Sequence, residues 1–192
     1  MFAMLGTTML CKSYREIYVY YWQIAKKLEN CGLRILKTDT HNESGIWSHV
    51  SIPLAPVLAT GNSLTCIEID PATLELAQKQ YPELDLRLGD VLTWQGEYDI
   101  VLDFSTIDHV EDYRAVLENY RKMSENLSCI VWLSDTRPSR DKQYFFPFQG
   151  FRDAFADVYG QYEEIGLYDE AGAQLIHFMS LNDRIPLQVS GQ

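Results

Sequence analysis

Asp70 and Asp90 each close a short apolar run, Leu64-Thr-Cys-Ile-Glu-Ile-Asp70 and Leu84-Asp-Leu-Arg-Leu-Gly-Asp90. Between them Pro71 opens a helical pattern that stops before Pro82, proline being suited to the first helical position and hostile to the residue before it. This strand–helix–strand order places both carboxylates at the carboxyl ends of neighbouring parallel strands, the edge where open α/β sheets bind ligands. An acid at the first position suits paired hydroxyls such as those of a ribose. An acid at the second can accept from an amine on an adenine ring.

A further set of polar groups follows Tyr98-Asp-Ile-Val-Leu-Asp-Phe104, an apolar run of the kind buried on both faces. His109, between Asp108 and Glu111, is the base candidate for a reaction in which an acceptor loses a proton, because nearby carboxylates favour its protonated form. Asp108 and Asp103 are the alternatives, and a solvated histidine at a helix start is the competing account of His109. His41 falls in a polar turn, His177 in a strand with a structural role, and His49 carries no interpretable signal.

The elements that position these groups follow from spacing. Ser13-x-x-Glu16 is a capping box for a helix reaching about Asn30, its apolar stripe including Tyr14, Ile17, Tyr18, Tyr21 and Leu28. Packing against a sheet explains that stripe better than ligand stacking. A strand from Leu33 to Thr38 follows, then a short helix after Glu43 and an irregular turn at Gly61-Asn62. Asp108-x-x-Glu111 caps a helix with Val116, Leu117 and Tyr120 on its buried face, and Leu127 to Leu133 is the next strand. Arg137, Arg140 and the aromatic run Tyr144 to Phe148 form a loop able to cover a small substrate or to pack as an ordinary hydrophobic turn. Residues 162–168 and 174–181 make a hairpin around Asp169-Glu-Ala-Gly172.

The chain has 192 residues and a formal net charge of −11, and no basic cluster exceeds Lys26-Lys27. DNA, RNA and anionic membranes are therefore poor partners, and a small molecule fits better. The four cysteines are scattered, which fits reduced thiols and gives no metal spacing. No targeting leader or membrane-length apolar run is visible, so the expected compartment is the cytoplasm. No nucleophile elbow and no Asn-Pro-Pro-Tyr signature occurs.

Cys66-Ile-Glu-Ile-Asp70-Pro, Leu88-Gly-Asp90-Val91, the run from Tyr98 to His109 and the closing hairpin together resemble class I S-adenosylmethionine (SAM)-dependent methyltransferases over residues 33–181. The resemblance implies a three-layer α/β sandwich with a mostly parallel Rossmann-like sheet of seven strands, order 3-2-1-4-5-7-6, the seventh antiparallel. Residues 1–32 would form a helical segment packed on it, and 182–192 a flexible tail. It further implies SAM as cofactor, with Asp70 on the ribose, Asp90 and Val91 at the adenine and Phe104 on the pocket floor. The acceptor would be a small molecule methylated on oxygen or nitrogen near Asp108 and His109, and the oligomer expected is a homodimer.

One part departs from the family. The glycine-rich turn usual after the first strand is replaced by Lys37-Thr-Asp39-Thr-His41-Asn-Glu43-Ser-Gly45, which sets side chains where bare backbone normally approaches the cofactor. Either Asp39 or Glu43 meets the ligand's ammonium, or the domain is an inactive scaffold.

Overall fold

The computed structural model describes residues 9–46, 51–139 and 143–187. His49 and Arg140 lie outside the described residues.

A seven-stranded sheet in the order β3-β2-β1-β4-β5-β7-β6 forms the centre. Its strands are β1 (Arg34–Lys37), β2 (Ser63–Glu68), β3 (Leu86–Leu88), β4 (Ile100–Phe104), β5 (Leu127–Leu133), β6 (Glu163–Glu170) and β7 (Ala173–Ser180). The pairings among β1 to β5 are parallel, while β7 runs antiparallel to both β5 and β6. The hairpin turns through Ala171 and Gly172, with φ of 50° and 82°, the double positive φ that a tight two-residue connection needs.

Alternation along the strands divides the core into two layers. Ile35, Ile100, Leu102, Ile130 and Trp132 face α1 (Tyr14–Leu28), α3 (Ala55–Ala59) and α4 (Pro71–Gln80). Leu36, Val101, Cys129, Val131 and Leu133 face α5 (Tyr113–Met123) and α6 (Phe148–Tyr159). The remaining helix, α2, is a single turn over His41–Ser44.

Several local expectations shift. Helix α1 starts at the Ser13 cap as expected, but Glu16 reaches the Lys12 amide instead of the cap's own. Asp108 caps no helix: it sits in a 3-10 turn over Ile107–His109, and Asp112 caps α5 through the Ala115 amide. Residues 182–187 stay with the domain, since Ile185 and Leu187 are buried in the core. Of the aromatic run, Phe145 and Phe146 are buried, and the Phe146 carbonyl takes the Ser134 amide beyond the end of β5.

His177 is fully buried, with Nδ1 2.8 Å from the Tyr20 hydroxyl and Nε2 2.7 Å from the Ser128 hydroxyl. Burial holds its pKa at about 3. Between that value and the ordinary 6.5 the unfolded chain binds the extra proton, so this contribution to stability is complete above pH 6.5 and lost as pH falls towards 3. The stability advantage of the wild type over His177→Gln in urea should therefore shrink by several kcal/mol between pH 7 and pH 4. A difference independent of pH would contradict a neutral buried imidazole.

Candidate functional site at the carboxyl edge of the sheet

The turn after β1 is held by ion pairs in place of glycines. Lys37 is fully buried, its ammonium 3.0 Å from Asp39 Oδ1, 3.0 Å from Glu43 Oε2 and 2.6 Å from the Asp39 carbonyl. The other Glu43 oxygen accepts from the amides of Leu54 and Ala55, each at 2.8 Å. Burial alone would lower the lysine pKa, but the two carboxylates more than reverse it and keep the ammonium charged. Glu43, completely buried and fully engaged, is therefore a loop anchor. Asp39 differs: its Oδ2 is buried and has no hydrogen-bond partner among the described residues.

Beside this turn stands the end of β2. The carboxylate that faces it belongs to Glu68, which sequence patterning overlooked. Glu68 Oε2 accepts from the amide and hydroxyl of Thr40 at 3.0 and 3.1 Å, and Oε1 accepts from the Asp70 amide at 3.0 Å. Asp70 is the N-cap of α4, its Oδ2 taking the amide and hydroxyl of Thr73 at 2.9 and 2.6 Å. Those bonds, the hydroxyl foremost, lower its pKa. Between them Ile69 is 67% exposed, an apolar side chain with nothing of the domain over it. After β3, Asp90 is half-buried and its Oδ1 accepts from the Leu92 amide at 2.9 Å. The Val91 side chain is buried. Gly89 keeps this turn close to the sheet, because a Cβ there would lie 2.7 Å from the Trp94 ring.

Beyond β4 the backbone passes through Ser105 at φ 67°, a left-handed conformation unusual outside glycine. This bend turns Asp108 inward, where Oδ1 accepts from the Trp132 amide at 3.0 Å and Oδ2 has no bonded partner among the described residues. Burial pushes its pKa well above the ordinary carboxylate value. Asp103 is likewise raised, to about 7, while its Oδ2 accepts the Tyr120 hydroxyl at 2.6 Å. His109 itself is exposed. Helix α1 lays two tyrosines against this edge. Tyr21 packs its ring on Phe104 at 4.8 Å and lies within electrostatic reach of Asp39 and Asp108. Tyr18 is likewise coupled to Asp39.

Asp39, Asp108, Phe104, Tyr18 and Tyr21 thus converge, with Glu68 joining the same loop through Thr40. Asp90 bonds within its own turn, and His109 is on the solvent side. The two tyrosines were hidden in a stripe that also supplies the core, where their spacing does not set them apart; in the structure Tyr18 is half-buried and Tyr21 buried. Among the described residues no group of three His, Cys, Asp or Glu side chains forms a metal-holding cluster, and no helix is long and apolar enough to cross a membrane.

No protein-family model matches the chain, and no curated protein matches it by sequence. Solved structures do. The N-terminal domain of EvdMO1, crystallised in the presence of SAH and D-fucose, superposes with a TM-score of 0.65 at 15% identity, covering 89% of this chain and 83% of that one. Magnesium protoporphyrin IX methyltransferase (ChlM) from Synechocystis PCC 6803 with bound SAM gives 0.62 at 14%, over 88% and 79%. CalS10, an amino pentose methyltransferase from Micromonospora echinaspora in its SAM-bound form, gives 0.57 at 14%, over 88% and 92%. With the strand order, the antiparallel closing hairpin and these superpositions agreeing, the chain has the Rossmann-like fold of the class I SAM-dependent methyltransferases.

Proposed function

We propose that the protein is a SAM-dependent methyltransferase acting on a small-molecule acceptor at oxygen or nitrogen. The observation that carries this is Asp39 Oδ2, a buried acceptor at the carboxyl end of β1 with no donor among the described residues. A buried polar atom without a partner costs stability, and a ligand ammonium supplies what is missing. The neighbouring groups fit the rest of such a ligand. Glu68, with lone-pair capacity beyond its three bonds, receives the ribose hydroxyls in place of Asp70, whose carboxylate caps α4. Ile69 offers an apolar face to the adenine, Asp90 accepts from its amine, the Val91 amide meets a ring nitrogen, and Phe104 with Tyr21 forms the floor.

SAM when bound supplies a methyl group on a sulfonium, and transfer from it is an in-line displacement governed by positioning. The protein's part is to hold the acceptor against the loop after β4 and exclude water. An acceptor that must lose a proton to be methylated would need a base of this chain beside it. We assign that role to His109, which is exposed at the outer side of the loop after β4, because Asp108 is enclosed. Other chains of this fold act on varied acceptors, including arsenic(III) in the protein from Chlamydomonas reinhardtii, so the acceptor must come from this chain's own pocket.

Incubating the protein with methyl-labelled SAM and a fractionated cell extract tests the reading. Label is expected in the low-molecular-weight fraction. Label in nucleic acid would overturn the acceptor class, and label in no fraction would favour an inactive scaffold.

A further inference from the structure

Next to the loop after β4 lies an opening of about 450 Å³ lined by Tyr14, Trp132, Arg137, Gln143, Phe145 and Glu170. It belongs to the same edge of the sheet. Trp132, near the end of β5, donates its amide to Asp108 Oδ1 at 3.0 Å, and the Tyr144 amide reaches the Asp108 carbonyl at 2.7 Å. We propose that this pocket is the acceptor site, and that it takes a planar aromatic monocarboxylate whose carboxylate docks on Arg137. This rests on the methyltransferase reading above.

Trp132 and Phe145 line one side, each 7% exposed. Trp132 and Phe145 meet edge-on with centroids 6.5 Å apart, and Tyr168 backs Trp132 at 6.2 Å. Arg137 is fixed over the Phe145 ring with its guanidinium carbon 4.6 Å from the centroid. Its backbone amide is held by Ser134 Oγ at 2.8 Å. Arg34, Arg87, Arg114, Arg121 and Arg152 all have carboxylate partners. Arg137 has none within 4.0 Å among the described residues; its one side-chain hydrogen bond there is a long contact of 3.4 Å to the Glu170 carbonyl. In a chain with 27 acidic and 16 basic residues, a pre-oriented guanidinium inside a pocket is matched to a ligand carboxylate, which it can grip in bidentate fashion.

Glu170, whose carbonyl is 3.4 Å from the Arg137 guanidinium, limits the charge. Glu170 Oε2 accepts the Tyr14 hydroxyl at 2.8 Å, so a carboxylate of the protein already lines the pocket. A second negative group on the ligand would face it, whereas a neutral hydroxyl would not. The ligand therefore carries one acid, docked on Arg137.

The test is calorimetric titration of the full chain, saturated with SAH, with 4-hydroxybenzoate, 4-hydroxybenzamide and terephthalate. The monoacid should bind, and the amide and the diacid should each bind at least about tenfold more weakly. Arg137→Gln should weaken the monoacid roughly tenfold to a hundredfold while leaving the amide and SAH affinities unchanged. Equal binding of acid and amide, indifference to Arg137→Gln, or no heat from the monoacid with a protein that binds SAH would each overturn the assignment. The same titrations without SAH separate the two readings. Arg137-dependent binding of the monoacid by a protein that does not bind SAH would remove the methyl donor and keep the pocket.

Discussion

Lys37→Met should destabilise the protein by about 3–5 kcal/mol, the cost of leaving a buried carboxylate without its counter-charge. The side chain is isosteric enough to fill the space, so the loss reports the charge and not a cavity. Glu43 would keep its bonds to the Leu54 and Ala55 amides but lose the ammonium at 3.0 Å. Its neighbour Asp39 would lose the same partner. Adding Glu43→Gln should recover part of the loss, because a neutral amide tolerates the site once the lysine is gone. Urea denaturation of the two variants checks this. A single variant costing less than about 1 kcal/mol, or a double variant weaker than the single, would mean that the cluster does not hold the turn. The functional consequence follows from the geometry: the turn carries Asp39 and Thr40, so its collapse would also release Glu68.

The second large effect separates two carboxylates that lie close in sequence. Glu68→Gln should weaken SAH binding roughly tenfold to a hundredfold, since each hydrogen bond to a charged acceptor contributes about 1.5–3 kcal/mol. Asp70→Asn should change that affinity by no more than about threefold, asparagine being an equally good N-cap. Thermal melts of both variants confirm that the fold persists. The reverse ranking would return the ribose to Asp70 and make Glu68 a loop anchor alone.

The sequence came close to this arrangement, and its errors have physical sources. The elements were legible because apolar runs, Gly and Pro punctuate the chain regularly, and the strand order followed from the family resemblance that their succession carries. Asp70 before Pro71, with Thr73 three positions on, reads as a helix cap, and it caps α4. That engagement is the reason we propose Glu68 in its place at the ribose. Asp108 and Asp112 are both plausible caps by spacing; the left-handed turn at Ser105 draws the first inward to the Trp132 amide, and only the second is free to cap α5. The Lys37 cluster was out of reach, because its energetics depend on burial that only the tertiary structure creates. Ile185 and Leu187 were dismissed with a polar tail, yet two apolar residues flanking Pro186 were reason to expect packing.

The proposed function requires Asp39, Glu68 and Asp90 to form one cofactor site despite the missing glycines. Calorimetric titration of the wild-type chain with SAH addresses that directly. One binding event per chain is expected, abolished or strongly weakened by Glu68→Gln and by Asp39→Asn. A wild-type titration with no heat and no shift in melting temperature would contradict the site, leaving the methyltransferase fold without its cofactor.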